Sequence, residues 1–143
     1  MVPDPQADQG EHEFIFSLYP HEGDWLQGGT VQAAWSLNNP VKAVYGKPEQ
    51  LQEFSLFTLC PQSAKHVMID VVKKAEDRNA IVLRLHEFAG MRGTVTLTSG
   101  APILNWQETN LMERPSGELY EAGEITFEIN PYEIKTITLL IQE

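Results

Sequence analysis

The residues with the greatest capacity for chemistry crowd one stretch near the N-terminus, Ala7 to Trp25 (ADQGEHEFIFSLYPHEGDW). Asp8, Glu11, His12, His21 and Asp24 offer carboxylate and imidazole donors, the ligand types of a zinc or calcium site. Their spacing argues against a metal. Glu11 and His12 are adjacent at the mouth of a strand and point to opposite faces, and no pair has the spacing of a zinc motif. The competing reading is a solvated loop in which local carbonyls satisfy His21, and no metal ligand is expected in this chain. Paired acids such as Asp8 and Glu11, or Glu22 and Asp24, invite a glycosidase mechanism, which in its retaining form needs two carboxyls about 5–5.5 Å apart. With 20 acids in the chain such pairs arise cheaply, and solvated charges are the expectation.

Other candidates are fewer. Trp25, Trp35 and Trp106 have the flat faces that stack on sugars. Trp35 lies on a helix face and Trp106 in a strand, so both are expected in the core. Trp25, in a polar loop, is the one expected at the surface, where Tyr19 and His21 would complete a platform. Cys60 and His66 suggest a thiol nucleophile, but a cysteine beside an apolar strand is expected to be inert packing. Arg84 sits mid-strand on the face opposite Ile81, Leu83 and Leu85, with Glu87 nearby; a charge there is either on a wet face or held by a partner. The expectation is a surface ion pair. No GxSxG, P-loop, GxGxxG or HExxH pattern is present.

The elements that must position these groups are mostly strands. Phe14, Phe16 and Leu18 alternate with Ile15, Ser17 and Tyr19, which predicts a first strand that Pro20 ends. Thr30 to Leu37 is the one helix, with Thr30 as cap, Val31, Ala34 and Trp35 on one face, and Asn38-Asn39-Pro40 as the stop. So short a helix holds only if Val31 and Trp35 dock onto a core. From Phe54 onward strands follow one another: Phe54 to Leu59; Val67 to Val71 and Ile81 to Leu85, a hairpin across the polar turn Lys73 to Asn79; Thr94 to Thr98; Ile103 to Thr109; Ile125 to Ile129; and Ile137 to Ile141. Ser116-Gly117 and Ala122-Gly123 read as punctuation in a loop. The fold class expected is all-β, an antiparallel two-sheet β-sandwich with one short helix after the first strand.

Bulk properties narrow the function. The chain has 143 residues, enough for one domain with its own core. Residues 1–10 read as a Pro-rich linker from a missing upstream catalytic domain, and 11–143 as a single β-sandwich domain. The formal charge of −10 repels phosphate backbones and anionic lipid, so neither nucleic acid nor membrane is an expected partner. A single cysteine and a start without a basic or apolar leader suggest a reducing, cytoplasmic setting. No apolar run approaches the roughly 18 residues of a transmembrane helix.

Five segments together resemble the C-terminal β region of glycoside hydrolase family 38 α-mannosidases. PDPQADQGEHEFIFSLYPHEGDW (3–25) is similar to that family's run from a Pro-Asp-Pro linker through Asp-x-Gly-x-His to Tyr-Pro-His-x-Gly. AAWSLNNPV (33–41) resembles the helix that follows. KKAEDRNAIVLRLHEFAG (73–90) resembles Lys-x-x-Glu-Asp followed by Leu-Arg-Leu-Tyr-Glu-x-x-Gly, with His86 in place of the tyrosine. ETNLMERP (108–115) and NPYEIKTITL (130–139) resemble its Asn-Leu-x-Glu and Pro-Phe-Glu-Ile-Lys-Thr motifs, with Tyr132 for the phenylalanine. The resemblance implies a cytosolic, bacterial-type parent that hydrolyses terminal α-mannosidic bonds with retention. Its zinc and its aspartate nucleophile would lie in a catalytic domain outside this chain, so no catalytic residue and no cofactor is expected here. The implied role is an accessory β-sandwich whose partner is the catalytic domain of the same polypeptide. His12, His21, Trp25 and Arg84 are the residues expected nearest to substrate, with an α-mannoside oligosaccharide as possible ligand. An apolar patch exposed by excision would favour self-association. The alternative is a carbohydrate-binding module using Trp25, Tyr19 and His21.

Overall fold

A computed structural model describes residues 7, 9–46, 54–121 and 123–142. The chain divides into two compact units, Met1–Val44 and Tyr45–Glu143.

The first unit contains the only α-helix among the described residues, α1 (Thr30–Asn38). Gly29 occupies the cap position in a left-handed conformation (φ 65°), and no side chain caps the helix. Thr30 is therefore the first helical residue rather than the cap. The helix stops as expected: the Asn39 amide returns to the Trp35 carbonyl, and the Asn38 and Asn39 side-chain amides donate to the Ala34 and Trp35 carbonyls. None of its residues is buried, and Trp35 is 42% exposed, so Trp35 is not a core residue. The expected first strand is also corrected. Phe14 to Tyr19 carries no ladder, and Phe14, Ile15, Phe16 and Leu18 are all exposed. Alternation states that a segment suits a half-buried surface; a strand forms only when a neighbour supplies hydrogen bonds, and no described residue does so here.

The second unit is built from strands β1 (Phe57–Leu59), β2 (Val67–Lys74), β3 (Ile81–Glu87), β4 (Gly93–Ser99), β5 (Ile103–Thr109), β6 (Pro115–Glu121), β7 (Ile125–Ile129) and β8 (Ile134–Ile141). They form a three-stranded sheet, β1-β4-β7, and a five-stranded sheet, β2-β3-β8-β5-β6. Every pairing is antiparallel. The alternation seen in sequence is the reason. Val95, Leu97, Ile125, Phe127 and Ile129 project from the smaller sheet into one core with Val67, Leu83, Leu85, Trp106, Ile137 and Leu139 from the larger. Two apolar faces packed on each other make the sandwich.

The β2–β3 hairpin forms in the expected place, with its turn shortened because β2 runs on to Lys74. β6 was not expected. Its residues, PSGELYE, do not alternate, because the strand lies on an edge with every position exposed. What holds it is the β5 ladder together with Tyr120, whose ring stacks on Trp106 at 4.4 Å between centroids. Trp106 itself is in the core at 4% exposure, as its strand position implies.

Candidate functional site

The loop that follows Tyr19 is a closed structure. Asp24 Oδ1 accepts the amides of Leu26 (3.0 Å) and Gln27 (2.8 Å), and Gln27 Oε1 accepts the Asp24 amide at 3.3 Å. Tyr19 Oη donates to the Gly28 carbonyl at 3.1 Å, which brings the two ends of the loop together. The Tyr19 and His21 rings lie 5.9 Å apart with a 37° tilt. His21 Nδ1 is 3.3 Å from the Glu22 carbonyl, so its partner is local. Trp25 is half exposed, as its polar surroundings predict. The sequence spacing is thus sufficient to bring Tyr19 and His21 together. His12 and Glu11 are exposed, outside any strand, and Asp8 lies outside the described residues. Asp24 is spent on backbone amides rather than offered to a ligand.

No group of three His, Cys, Asp or Glu side chains that could hold a metal ion occurs among the described residues.

On the outer face of the five-stranded sheet, Arg84 does not pair with Glu87. Three residues apart on a strand, the two point to opposite faces. Arg84 Nε donates to Thr136 Oγ1 (3.3 Å) on β8, and its terminal nitrogen donates to the Leu111 carbonyl at 3.2 Å. Leu111 belongs to the loop between β5 and β6, which crosses this face. Asn110 Oδ1 organises the loop by accepting the amides of Met112 and Arg114. Glu113, in a left-handed conformation (φ 62°), is buried against the β2–β3 turn. Its carboxylate meets Lys73 Nζ at 2.7 Å and the Glu76 amide at 2.9 Å, and its carbonyl accepts Arg78 at 2.5 Å. The Lys73 hydrogen bond and then the Glu76 amide hold the Glu113 carboxyl below the usual range. Glu113, followed by Glu76, raises Lys73 in return. Three cations and a buried acid therefore fix a loop whose Leu111 and Met112 side chains face solvent.

Glu87 has a different role, which its sequence context did not disclose. It is 2% exposed, at the end of β3. Oε1 accepts the amides of Ala89 (3.0 Å) and Met91 (3.0 Å), and Oε2 those of Gly90 (2.9 Å) and Tyr132 (2.9 Å). One carboxylate thus ties the β3–β4 turn to the β7–β8 turn. Burial pushes the Glu87 carboxyl up, but the amides of Tyr132, Met91, Ala89 and Gly90 outweigh it and leave it below its ordinary value. Gly90 has φ 75°, and a Cβ there would come within 2.7 Å of Tyr132 Oη. Glu87 and Gly90 of the Glu-x-x-Gly pattern are therefore one structural unit, a carboxylate and the turn that wraps it. The signal available in sequence was that pattern itself; the fourth donor, Tyr132, is 45 residues away. His66, also buried, brings Nδ1 to 3.4 Å from Glu87 Oε1 without a hydrogen bond.

Two further clusters complete the inventory. Cys60 lies 3.1 Å from Ser63 Oγ, and hydrogen bonds from Ser63 are the main cause of a lowered thiol pKa. Its partner is thus Ser63 rather than His66, and Cys60 is half-buried rather than part of the core. On the outer sheet face, a β-bulge between Ile69 and Val71 turns Asp70 toward His86, with Oδ2 2.6 Å from Nδ1.

The arrangement defines a structural module: a β-sandwich whose buried acids clamp turns and loops instead of facing a shared pocket. Residues 66–137, half of the chain, match the model of the glycosyl hydrolases family 38 C-terminal beta sandwich domain, and the chain belongs to that family. The matched span runs from His66 through the Glu87 clamp to Ile137. Over nearly its whole length the chain is similar to α-mannosidases. It is 33% identical to alpha-mannosidase 2C1 of Homo sapiens over 152 residues, covering 99% of this chain and 14% of that protein. It is 29% identical to the Mus musculus protein of the same name, with the same coverage. It is 31% identical to alpha-mannosidase G of Dictyostelium discoideum, covering 96% of this chain and 13% of that protein. The chain thus spans about a seventh of the length of these relatives.

Proposed function

We propose that this chain serves as the C-terminal accessory domain of a zinc-dependent, retaining α-mannosidase that hydrolyses terminal α-mannosidic bonds. The observation that carries the reading is the extent of similarity. Relatives named as α-mannosidases match 96–99% of this chain, which corresponds to only 13–14% of their own length. In this reading zinc and nucleophile are held by the remainder of the polypeptide, the catalytic domain is the principal partner, and the sandwich supports that domain. The setting is cytosolic, in keeping with one half-buried free cysteine; no helix among the described residues is long and apolar enough to cross a membrane. The finer placement with bacterial-type members draws no support from the animal and amoebal relatives. The domain boundary proposed is residue 11, with 1–10 as linker. His12, His21, Trp25 and Arg84 stay the residues proposed nearest to substrate; Arg84 would act through the loop whose Leu111 carbonyl it holds.

The test compares the 143-residue chain with the full-length polypeptide on an aryl α-mannoside, with bound zinc measured in both. Expected are turnover and zinc in the long form and neither in the short one. Turnover by the short chain would overturn the reading.

A specific observation favours a second reading, a carbohydrate-binding module. Tyr19 and His21 are adjacent rings, and Trp25 is half exposed in the same closed loop. Titration of mannobiose should then shift the Trp25 indole resonance; a flat response into the high millimolar range rejects it.

A further inference from the structure

Two buried side-chain polar atoms among the described residues have no hydrogen-bond partner, Thr30 Oγ1 and His66 Nδ1. The second lies beside the Glu87 clamp. A buried polar atom without a partner is destabilising, and native folds seldom keep one without a reason. His66 ends the single 3-10 turn Ser63–Lys65, which carries the chain from β1 in the smaller sheet to β2 in the larger. Its amide donates to the Ser63 carbonyl (3.2 Å), and its carbonyl accepts the Phe88 amide (2.9 Å). Backbone bonds on both sides therefore fix where the ring sits. Nδ1 stops 3.4 Å from Glu87 Oε1 without forming a hydrogen bond, while Oε1 accepts the Ala89 and Met91 amides.

The charged surroundings of the ring are simple. Glu87, from β3, is the carboxylate that reaches it among the described residues. β4 meets the ring with Gly93, which has no side chain; a Cβ added there would sit 3.5 Å from His66 Cε1 and Nε2. Cys60, before the turn, bonds Ser63. Lys65 on the turn and Arg92 beside Gly93 are exposed, so solvent screens both cations.

We propose that His66 and Glu87 form a proton-operated latch, open while the imidazole is neutral and closed when it is protonated. With its one N–H on Nε2, the neutral ring turns an Nδ1 lone pair toward a carboxylate oxygen and gains nothing by coming closer. A proton taken from solvent at Nδ1 makes that nitrogen a charged donor. The 3.4 Å approach then shortens to the roughly 2.7–2.9 Å of a charge-assisted bond. Imidazole is the side chain that changes charge near neutral pH. Glu87 stays ionised across that range, since four amides hold its carboxyl below the ordinary value. Closure joins the crossover between the two sheets to the carboxylate that ties the β3–β4 and β7–β8 turns. The latch is independent of the mannosidase reading.

The test is a ring nitrogen–proton correlation spectrum of the histidine-labelled 143-residue chain at about pH 8 and about pH 5.5, on either side of the imidazole titration. Expected is a His66 Nδ1 proton absent at the higher pH and present at the lower, held against exchange by burial and by Glu87. His66→Gln identifies the resonance by its loss. If that variant does not fold, replacing His12, His21 and His86, none of them buried, one at a time assigns His66 by elimination. The Ala89 and Met91 amides, which share Oε1, should shift with the same midpoint as the ring, and by more than those of Gly90 and Tyr132 on Oε2. Any other pattern of the Nδ1 proton, such as its presence at both pH values or at neither, overturns the proposal. So does a shift no larger at the Oε1 amides than at the Oε2 amides.

Discussion

Replacing Glu87 by glutamine tests the reasoning about the buried clamp. The two side chains have nearly the same shape, so packing is held constant while one acceptor oxygen becomes a donor. In the native protein each carboxylate oxygen receives two amides at 2.9–3.0 Å. In Glu87→Gln one of these pairs faces an NH2 group and goes unsatisfied in a site that is 2% exposed. Each buried donor without a partner costs about 1–3 kcal/mol, and the surviving pair loses its charge assistance. The expected loss is therefore about 3–5 kcal/mol, a large share of the roughly 5–15 kcal/mol typical of a domain. The measurement is urea unfolding followed by tryptophan fluorescence, with equal denaturant slopes required for comparison. A second readout separates this mechanism from generic damage. The folded pKa of Glu87 lies below its ordinary value, so the unfolded chain binds the proton more readily. The stabilisation is present above the unfolded pKa and is lost as pH falls through the folded one. Wild-type stability should fall in that acid window, and the part owed to Glu87 should vanish from the variant. An urea midpoint unchanged in the variant, or an acid limb identical in the two proteins, would refute the argument.

Four further outcomes are expected. Gly90→Ala should cost about 1–2 kcal/mol in the same unfolding assay, because a non-glycine residue is strained at φ 75°. Trp106→Ala should cost about 3–5 kcal/mol by emptying part of the core and removing the Tyr120 stack. Lys73→Met removes the main partner of Glu113; amide exchange in residues 110–114 should accelerate while that of β5 and β8 is unchanged. Ser63→Ala removes the principal cause of the lowered Cys60 pKa, so the pH midpoint of Cys60 alkylation should move upward.

The contrast between β7 and β6 shows why some strands were legible and others were not. In β7 the residues Ile125, Phe127 and Ile129 are buried and Thr126 and Glu128 exposed, so the two-residue period of the chain survives as a burial pattern. In β6 nothing is buried, and a strand on an edge leaves no such record. Phe14 to Tyr19 fails in the opposite direction: it has the period, but the second partner that a strand requires is not among the described residues. The candidate site followed the same division. Tyr19 and His21 are close in sequence, and one closed loop was enough to set their relation. Arg84 and Glu87 looked like a pair because they are close in sequence, yet strand geometry turns them to opposite faces and gives each a distant partner.

By itself, then, the sequence determined the all-β class, the β2–β3 hairpin, the stop of the helix and the kinship with family 38 C-terminal domains, since all of these are written in local periodicity or in runs of neighbouring residues. Only the tertiary structure decided what the buried charges do. The Glu87 carboxylate is completed by an amide 45 residues on, and Arg84 by a carbonyl 27 residues on. Such bonds depend on which strands become neighbours across a sheet, and that is settled by the packing of two apolar faces rather than by any stretch of chain taken alone.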